Sequence, residues 1–294
     1  MAVLSKGTLF DPELVTDLIN KVKGKSSLAV LSKQVPVPFN GSKEFTFTLD
    51  KDVDIVAENG KKSEGGVSVE PVIIRPIKVE YGARVSDEFI YAADEEKINI
   101  LKAFNEGFAK KVARGIDLMA FHGINPRTKQ ASDVITTNHF DSLVTQTVTF
   151  DKAQIEENIE TAVAMIQGVN GEVSGIAMSP VFSQELAKLK VNGVKQYPEL
   201  AWGANPGIIN GLPVDINTTI SEGEQVKDRS IIGDFANMFK WGYAKEIPLQ
   251  VIEYGDPDNS GKDLKGYNQV YLRAEAFIGW GILDAKSFVR IVEA

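Results

Sequence analysis

Few residues in this chain stand where their types and spacing could do chemistry. The run Asp256-Pro257-Asp258-Asn259-Ser260-Gly261 places oxygen-bearing side chains at alternate positions with a glycine sixth, as the start of a calcium loop does. Such a loop closes on a bidentate carboxylate at its twelfth position, but Tyr267 stands there and no helical pattern flanks the run. A solvated acidic turn is the better reading, and no metal site is expected. His122 and His139 are the only imidazoles and there is no cysteine. Disulfides, iron–sulfur clusters and nitrogen- or sulfur-ligated zinc therefore lack their ligands. His122 precedes Gly123 at the end of a helical pattern, with no second histidine or paired acid close in sequence. It reads as a cap or interface residue rather than a general base. Phosphate-binding Gly-x-x-x-x-Gly-Lys-Ser/Thr, dinucleotide-binding Gly-x-Gly-x-x-Gly and the Gly-x-Ser-x-Gly elbow are all missing from the sequence. No catalytic or cofactor-binding residue is assigned and no cofactor is expected.

Composition narrows the class further. The 294 residues carry 32 Lys+Arg against 40 Asp+Glu, a net charge of −8, with 43% hydrophobic and 24% charged residues. That is ordinary folding material, neither disordered nor collagen-like. An acidic chain of this kind is a poor dedicated nucleic-acid reader, which needs a basic face. No apolar run approaches the ~20 residues that cross a bilayer, and the start lacks a secretory pattern, so a soluble intracellular protein with no membrane partner is expected.

The elements that could position anything are unusual. Residues 1–35 hold Lys6, Lys21, Lys23, Lys25 and Lys33 against Asp11, Glu13 and Asp17, so this arm is +2 and the remainder −10. Asp11 and Pro12 open a short helical pattern through Val22 that Gly24 closes. It is too short to form a core and reads as an arm docking elsewhere. After the turn cluster 36–41, Phe45, Phe47 and Leu49 alternate with polar residues, and the strand pattern runs to about Ala57. It turns through 58–66 and returns from Val67 to about Val85. Two such strands make a hairpin of about 35–45 Å, which is unstable alone in water. From Asp94 to Phe121 the period becomes helical, with Leu101, Phe104, Phe108, Val112, Ile116 and Met119 on one stripe, Gly123 as the stop and a length of about 40 Å. Asp151 caps a helix through Ile166. A compact α/β block follows, with strands at 175–178, 212–217, 230–235 and 238–254 and a helix at 180–189. Residues 267–292 are extended, with Val270, Leu272, Ala274, Ala276 and Ile278 on one face. Asn-Gly pairs starting at Asn40, Asn59, Asn170, Asn192 and Asn210 mark joints between these patterns.

In this order the parts resemble the tailed-bacteriophage major capsid protein, the Hong Kong 97-type coat fold, an α+β class. The strings that carry the resemblance are Val56-Ala57-Glu58-Asn59-Gly60-Lys61-Lys62, Ala120-Phe121-His122-Gly123, Met178-Ser179-Pro180, Asn210-Gly211-Leu212-Pro213-Val214, Ile232-Gly233-Asp234-Phe235 and Asn268 through Glu275. The resemblance implies an N-terminal arm (1–40), an extended hairpin loop (41–85), a peripheral domain with a spine helix (86–150 and 246–294) and an axial domain (151–245). It implies a non-enzymatic protein that self-assembles as hexamers and pentamers into an icosahedral shell around double-stranded DNA, built in the host cytoplasm and resident in the virion. Partners implied are further copies of the chain, a portal, decoration proteins and DNA held without sequence reading. The sequence lacks a long acidic helical segment ahead of the arm, so a separate scaffolding protein, or none, is expected. Encapsulin nanocompartments share the fold and are the nearest alternative; an unrecognised α/β enzyme is the remoter one.

The same resemblance implies one covalent possibility. In some members a hairpin lysine, a peripheral asparagine and a glutamate form an isopeptide bond between subunits. The matching residues are Lys62, with Lys61 as a substitute, Asn268 and Glu275. A neutral amine would attack the amide carbon, ammonia would leave, and the carboxylate would take the proton. Strand alternation sets positions 268 and 275 on opposite faces, which suits a bond assembled from neighbouring chains. Against it, Lys62 reads equally as a solvated tip charge, Asn268 as a turn residue and Glu275 as a partner of Arg273.

Overall fold

One long helix and two β-sheets organise the chain. The computed structural model describes residues 26–88, 94–223, 227–245 and 249–293. The short helix expected at 11–22 lies outside the described residues.

The long helix is α2 (Asp94–His122), preceded by α1 (Ser27–Leu31). It ends where Gly123 takes φ +67° and its N–H returns to Met119 O at 3.0 Å, a left-handed cap that a Cβ would strain. Leu101, Phe108, Val112, Ile116 and Met119 are buried along its apolar stripe. Phe104 is partly buried against the same core.

The first sheet is built on β13 (Gln269–Ile282). Val270, Leu272, Ala274, Ala276 and Ile278 are all buried on one face, as the alternation predicts. β3 (Ile77–Ser86) runs along one edge of β13 over ten register pairs, from Gln269↔Ser86 to Ile278↔Ile77. β11 (Phe239–Lys245) and β12 (Leu249–Ile252) share the other edge. Three sequence expectations change here. The return strand expected over 67–85 is two strands, because Pro76 has no N–H to donate and breaks the ladder. β2 (Val67–Ile74) pairs with β1 (Ser42–Leu49), whereas β3 leaves the hairpin for β13. The outgoing strand also stops at Leu49, not Ala57; residues 50–66 carry no strand. The strand expected over 238–254 is likewise two, β11 and β12, and both join β13 rather than the α/β block.

The second sheet has six strands in the order β4 (Thr147–Thr149), β14 (Phe288–Val292), β10 (Asp228–Gly233), β5 (Gly175–Met178), β9 (Leu212–Ile216) and β8 (Ile208–Ile209). The closing segment thus leaves the first sheet after Ile282 and ends in the second. Alternate residues on these strands separate two cores. Ala177, Ile231 and Phe288 share a core with α2 and β13. Ile176, Ile232 and Val289 share the other with α4 (Ile155–Gln167) and α5 (Pro180–Lys188). α2 and α4 therefore lie over opposite faces of this sheet. Asp151 caps the 3₁₀ turn that leads into α4, its carboxylate accepting from Ala153 N at 2.8 Å. A further small helix, α3 (Phe140–Leu143), brings Phe140 against Phe121, Phe235, Phe239 and Phe288. A two-stranded ribbon, β6 (Lys190–Val191) with β7 (Val194–Lys195), projects from the second sheet's helices.

The end of the expected arm is not free. Leu28, Ala29 and Leu31 of α1 are buried, and Val35 N donates to Trp241 O at 2.8 Å. From residue 26 onward these residues belong to the folded body, because their apolar side chains close the core over β5 and β9.

Candidate functional site

Two regions carry the unusual chemistry: a buried polar junction at the C-terminal end of α2 and an exposed apolar face on the hairpin. In the junction, Asp117 is fully buried and accepts from Ser26 Oγ, Ser27 N, Leu28 N, Asn217 Nδ2 and Thr219 Oγ1. No cation faces it among the described residues, and burial pushes its carboxyl up to about 6 against those hydrogen bonds. Ser27 Oγ also donates to Asp215 Oδ2 at 2.6 Å, so one turn of α1 ties the long helix to β9.

One helical turn further on, His122 Nδ1 lies 2.8 Å from Asp141 Oδ2 and Nε2 lies 2.8 Å from Thr219 O. Both ring nitrogens face acceptors, an arrangement that only the imidazolium satisfies on both sides. Burial opposes its charge, yet the bond to Asp141 and the Asp141 and Asp228 charges leave its pKa raised. Asp141 is held below its ordinary value: burial pushes it up, but His122 and Arg290 outweigh that. Asp228, wholly buried, is pushed up to about 7 by burial and by the like charge of Asp141, against Arg290. The Arg290 guanidinium reaches Asp141 Oδ1 at 2.8 Å and Asp228 Oδ1 at 2.9 Å. His122, Asp141 and Asp228 have ligand atoms within 4.8 Å of one another, but Arg290 already supplies the cation between the two carboxylates. The donor set suits a guanidinium, not a metal ion. The cluster ties α2, α3, β10 and β14 together.

Sequence reasoning left His122 as a cap or interface residue; its partners Asp141, Asp228 and Arg290 come from three other elements and were not found. A signal was present, since Asp117 and Arg290 are lone charges inside apolar runs, Ile116 to Ala120 and Phe288 to Val292. The calcium-like run is more ordered than a solvated turn. Asp256 accepts from Ser260 N and Gly261 N at 3.0 and 2.7 Å, capping its own loop. Arg84 of β3 then reaches Asp256, Asp258, Lys262 O and Gln269. Its guanidinium takes the central place that a cation would fill.

The three crosslink positions stand apart in character. Lys62 is exposed within the strandless segment 50–66, as is Lys61. Asn268 adopts φ 51° as the residue before β13, and its carbonyl accepts from Asp87 N at 2.9 Å. Because this left-handed residue precedes the strand, the alternation argument does not extend to it. Glu275 is largely buried within β13, 2.7 Å from Lys78 Nζ and 3.2 Å from Arg273 Nε.

The apolar face of the hairpin has no partner among the described residues. The register pairs Phe45↔Pro71, Phe47↔Val69 and Leu49↔Val67 set six apolar residues on one side. Phe45, Phe47 and Leu49 are 65%, 63% and 65% exposed, and Val53 and Ile55 beyond them are 99% and 98% exposed. Such a contiguous apolar surface marks an interaction site.

Comparison with known proteins gives this geometry a context. The phage capsid family matches residues 6–292. A solved structure from Mycobacterium phage Ogopogo is 29% identical over 92% of each chain, with a TM-score of 0.79. One from Gordonia phage Cozz is 24% identical over 92% of this chain and 87% of that one, TM-score 0.75, and shows the same fold. The capsid of a native GTA particle is 14% identical over 100% of this chain and 93% of that one, with a TM-score of 0.65. No curated protein matches. The long helix, the projecting hairpin and the match over almost the whole length agree, and the chain belongs to the phage capsid family, as a major capsid protein with a structural rather than enzymatic role in the virion shell.

Proposed function

We propose that this chain closes an icosahedral shell around double-stranded DNA by assembling as hexamers and pentamers, with the β1–β2 hairpin of each copy laid on the next. The observation that supports this is the hairpin's exposed apolar face, Phe45, Phe47, Leu49, Val67 and Val69, each more than half accessible. At about 25 cal/mol per Å² of apolar surface removed from water, one such face contributes a few kcal/mol, and closure of a shell multiplies it through avidity. In this reading the six-stranded sheet with α4 and α5 forms the axial domain around the five- and six-fold axes, and α2 with the β13 sheet, including β3 and β11, forms the peripheral domain. The β1–β2 hairpin with residues 50–66 is the extended loop, and the arm is the part of the chain before residue 26. A separate scaffolding protein, a portal and decoration proteins complete the particle, which assembles in the host cytoplasm. Purified particles test the reading through their contents. Nuclease-protected duplex DNA supports it, whereas a packaged protein cargo without DNA would move the chain to an encapsulin-type compartment.

The covalent form of this reading joins Lys62 of one copy to Asn268 of another, with Glu275 accepting the proton. It requires Glu275 to exchange its contacts with Lys78 and Arg273 for the incoming amine. Boiling particles in detergent before a denaturing gel decides it. Ladders that vanish in Lys62→Ala, Asn268→Ala and Glu275→Ala establish the bond, and a clean monomer band removes it.

A further inference from the structure

The five Asn-Gly pairs stand in unlike surroundings, although every one of the asparagines is exposed. Three of the glycines are closed in. Gly41 N donates to Pro38 O at 2.8 Å, Gly60 N to Ala57 O at 2.8 Å and Gly171 N to Ile166 O at 2.9 Å. A Cβ built on these glycines would meet Ile74 O at 2.7 Å, Val56 Cγ1 at 2.9 Å and Ile166 Cγ2 at 2.8 Å respectively. Gly193 and Gly211 are open on both counts. Neither N–H has a backbone partner among the described residues, and a Cβ built on either meets nothing within 4 Å. Both pairs form two-residue hairpin turns with positive φ at each position, 51° and 82° at Asn192 and Gly193, 49° and 84° at Asn210 and Gly211. The two turns differ in what holds them. β9 is paired with β5 inside the six-stranded sheet, whereas the β6–β7 ribbon pairs only with itself among the described residues, through Lys190↔Lys195 and Val191↔Val194.

We propose that Asn192, at the tip of the ribbon, is a site of spontaneous deamidation with the Gly193 amide as nucleophile. A solvent base removes the Gly193 N–H proton, and the nitrogen attacks Cγ of Asn192. A C–N bond closes a succinimide ring, and the side-chain amide group leaves as ammonia, taking a proton back from solvent. Water then opens the ring at either carbonyl. One product is an aspartate; the other is an isoaspartate, whose main chain runs through the former side-chain methylene. An N–H that donates to a turn carbonyl holds its proton, because the bond favours the neutral amide over its anion. That bond, with the crowding around the glycine, protects Asn40, Asn59 and Asn170. Either product makes the chain one charge more negative than its −8 and places a carboxylate beside the two facing lysines of the ribbon. The isoaspartate also lengthens the turn by a main-chain atom, and a ribbon of two residue pairs cannot keep its register against that.

Peptide mapping by mass spectrometry of the full-length unassembled subunit, held in mildly alkaline buffer over a time course, tests this. Each event is read as a gain of one mass unit, and electron-transfer fragmentation separates isoaspartate from aspartate. Asn192 reacts first and Asn210, in the firmer turn, more slowly. Asn40, Asn59 and Asn170 lag Asn192 by at least about fivefold, the factor that one net hydrogen bond on the glycine N–H is worth. Val169-Asn170-Gly171 and Val191-Asn192-Gly193 are the same tripeptide, so their difference reports structure rather than sequence. In urea, where the turns are lost, these two asparagines react at similar rates. A native subunit in which Asn192 stays intact, or in which any other Asn-Gly pair matches it, overturns the inference. So does a lead of Asn192 over Asn170 that survives unchanged in urea.

Discussion

The C-terminal half of α2 and the β1–β2 hairpin are both rich in apolar residues and end in opposite environments. From Val112 to His122 every residue except Arg114 is buried, and the polar ones among them, Asp117 and His122, find partners in three separate segments of the same chain. Along the hairpin, Phe45, Phe47, Leu49, Val67 and Val69 stay more than half exposed, and among the described residues their strands pair only with each other. The helix end is complete within one chain; in the proposed shell the hairpin is completed by another copy. A shell subunit needs both, a body that folds alone and a limb whose burial waits for assembly.

Substitutions break the contrast most sharply where burial is deepest. Arg290→Ala leaves Asp228 buried without its cation and is expected to cost about 3–5 kcal/mol in chemical unfolding of the unassembled subunit. Phe108→Ala opens a cavity beside β13 of similar cost, about 3–5 kcal/mol, and loses assembly through misfolding. Phe47→Ala is expected to leave subunit stability within about 0.5 kcal/mol while particle yield collapses. If Phe47→Ala unfolds the subunit as Phe108→Ala does, the hairpin is part of the body and the contrast fails.

A smaller effect comes from pH. Asp117 and Asp228 have raised carboxyl pKa values, about 6 and about 7, and His122 is raised above 6.5, so the folded chain holds these protons more tightly than the unfolded one. Their contribution is full below the unfolded pKa of each group and is lost as pH rises through the folded values. Asp141 acts the other way, but only below about pH 4, where its unfolded form takes up a proton. Stability of the unassembled subunit should therefore fall by on the order of 1–2 kcal/mol between pH 5 and pH 8. A flat profile over that range would mean that the junction carries no titrating charge. The smallest change is Gly107→Ala, which meets open space in a helix and should stabilise the subunit by about 0.4–1 kcal/mol in the same unfolding measurement.

Much of this architecture was legible because it follows local periodicity. The 3.6-residue stripe of α2, the alternation along β13 and the Asn-Gly joints are written in neighbouring residues. Four of those asparagines, Asn59, Asn170, Asn192 and Asn210, do take positive φ. What escaped depended on contacts between distant segments. Nothing near Val67–Val85 says that the strand changes partner at Pro76, since β3 is specified by β13 almost two hundred residues on. The charged junction escaped for the same reason: His122, Asp141, Asp228 and Arg290 come together only once two sheets share one helix. The hairpin face was readable as an alternation but not as a surface, because exposure is a property of what is missing beside it.

Hydrogen–deuterium exchange on the unassembled subunit and on the closed shell tests the division between body and limb most directly. The account predicts that amides of α2 from Phe108 to His122 are protected in both states, whereas those of Phe45 to Leu49 become protected only in the shell. Strong protection of Phe45 to Leu49 in a verified monomer would contradict it.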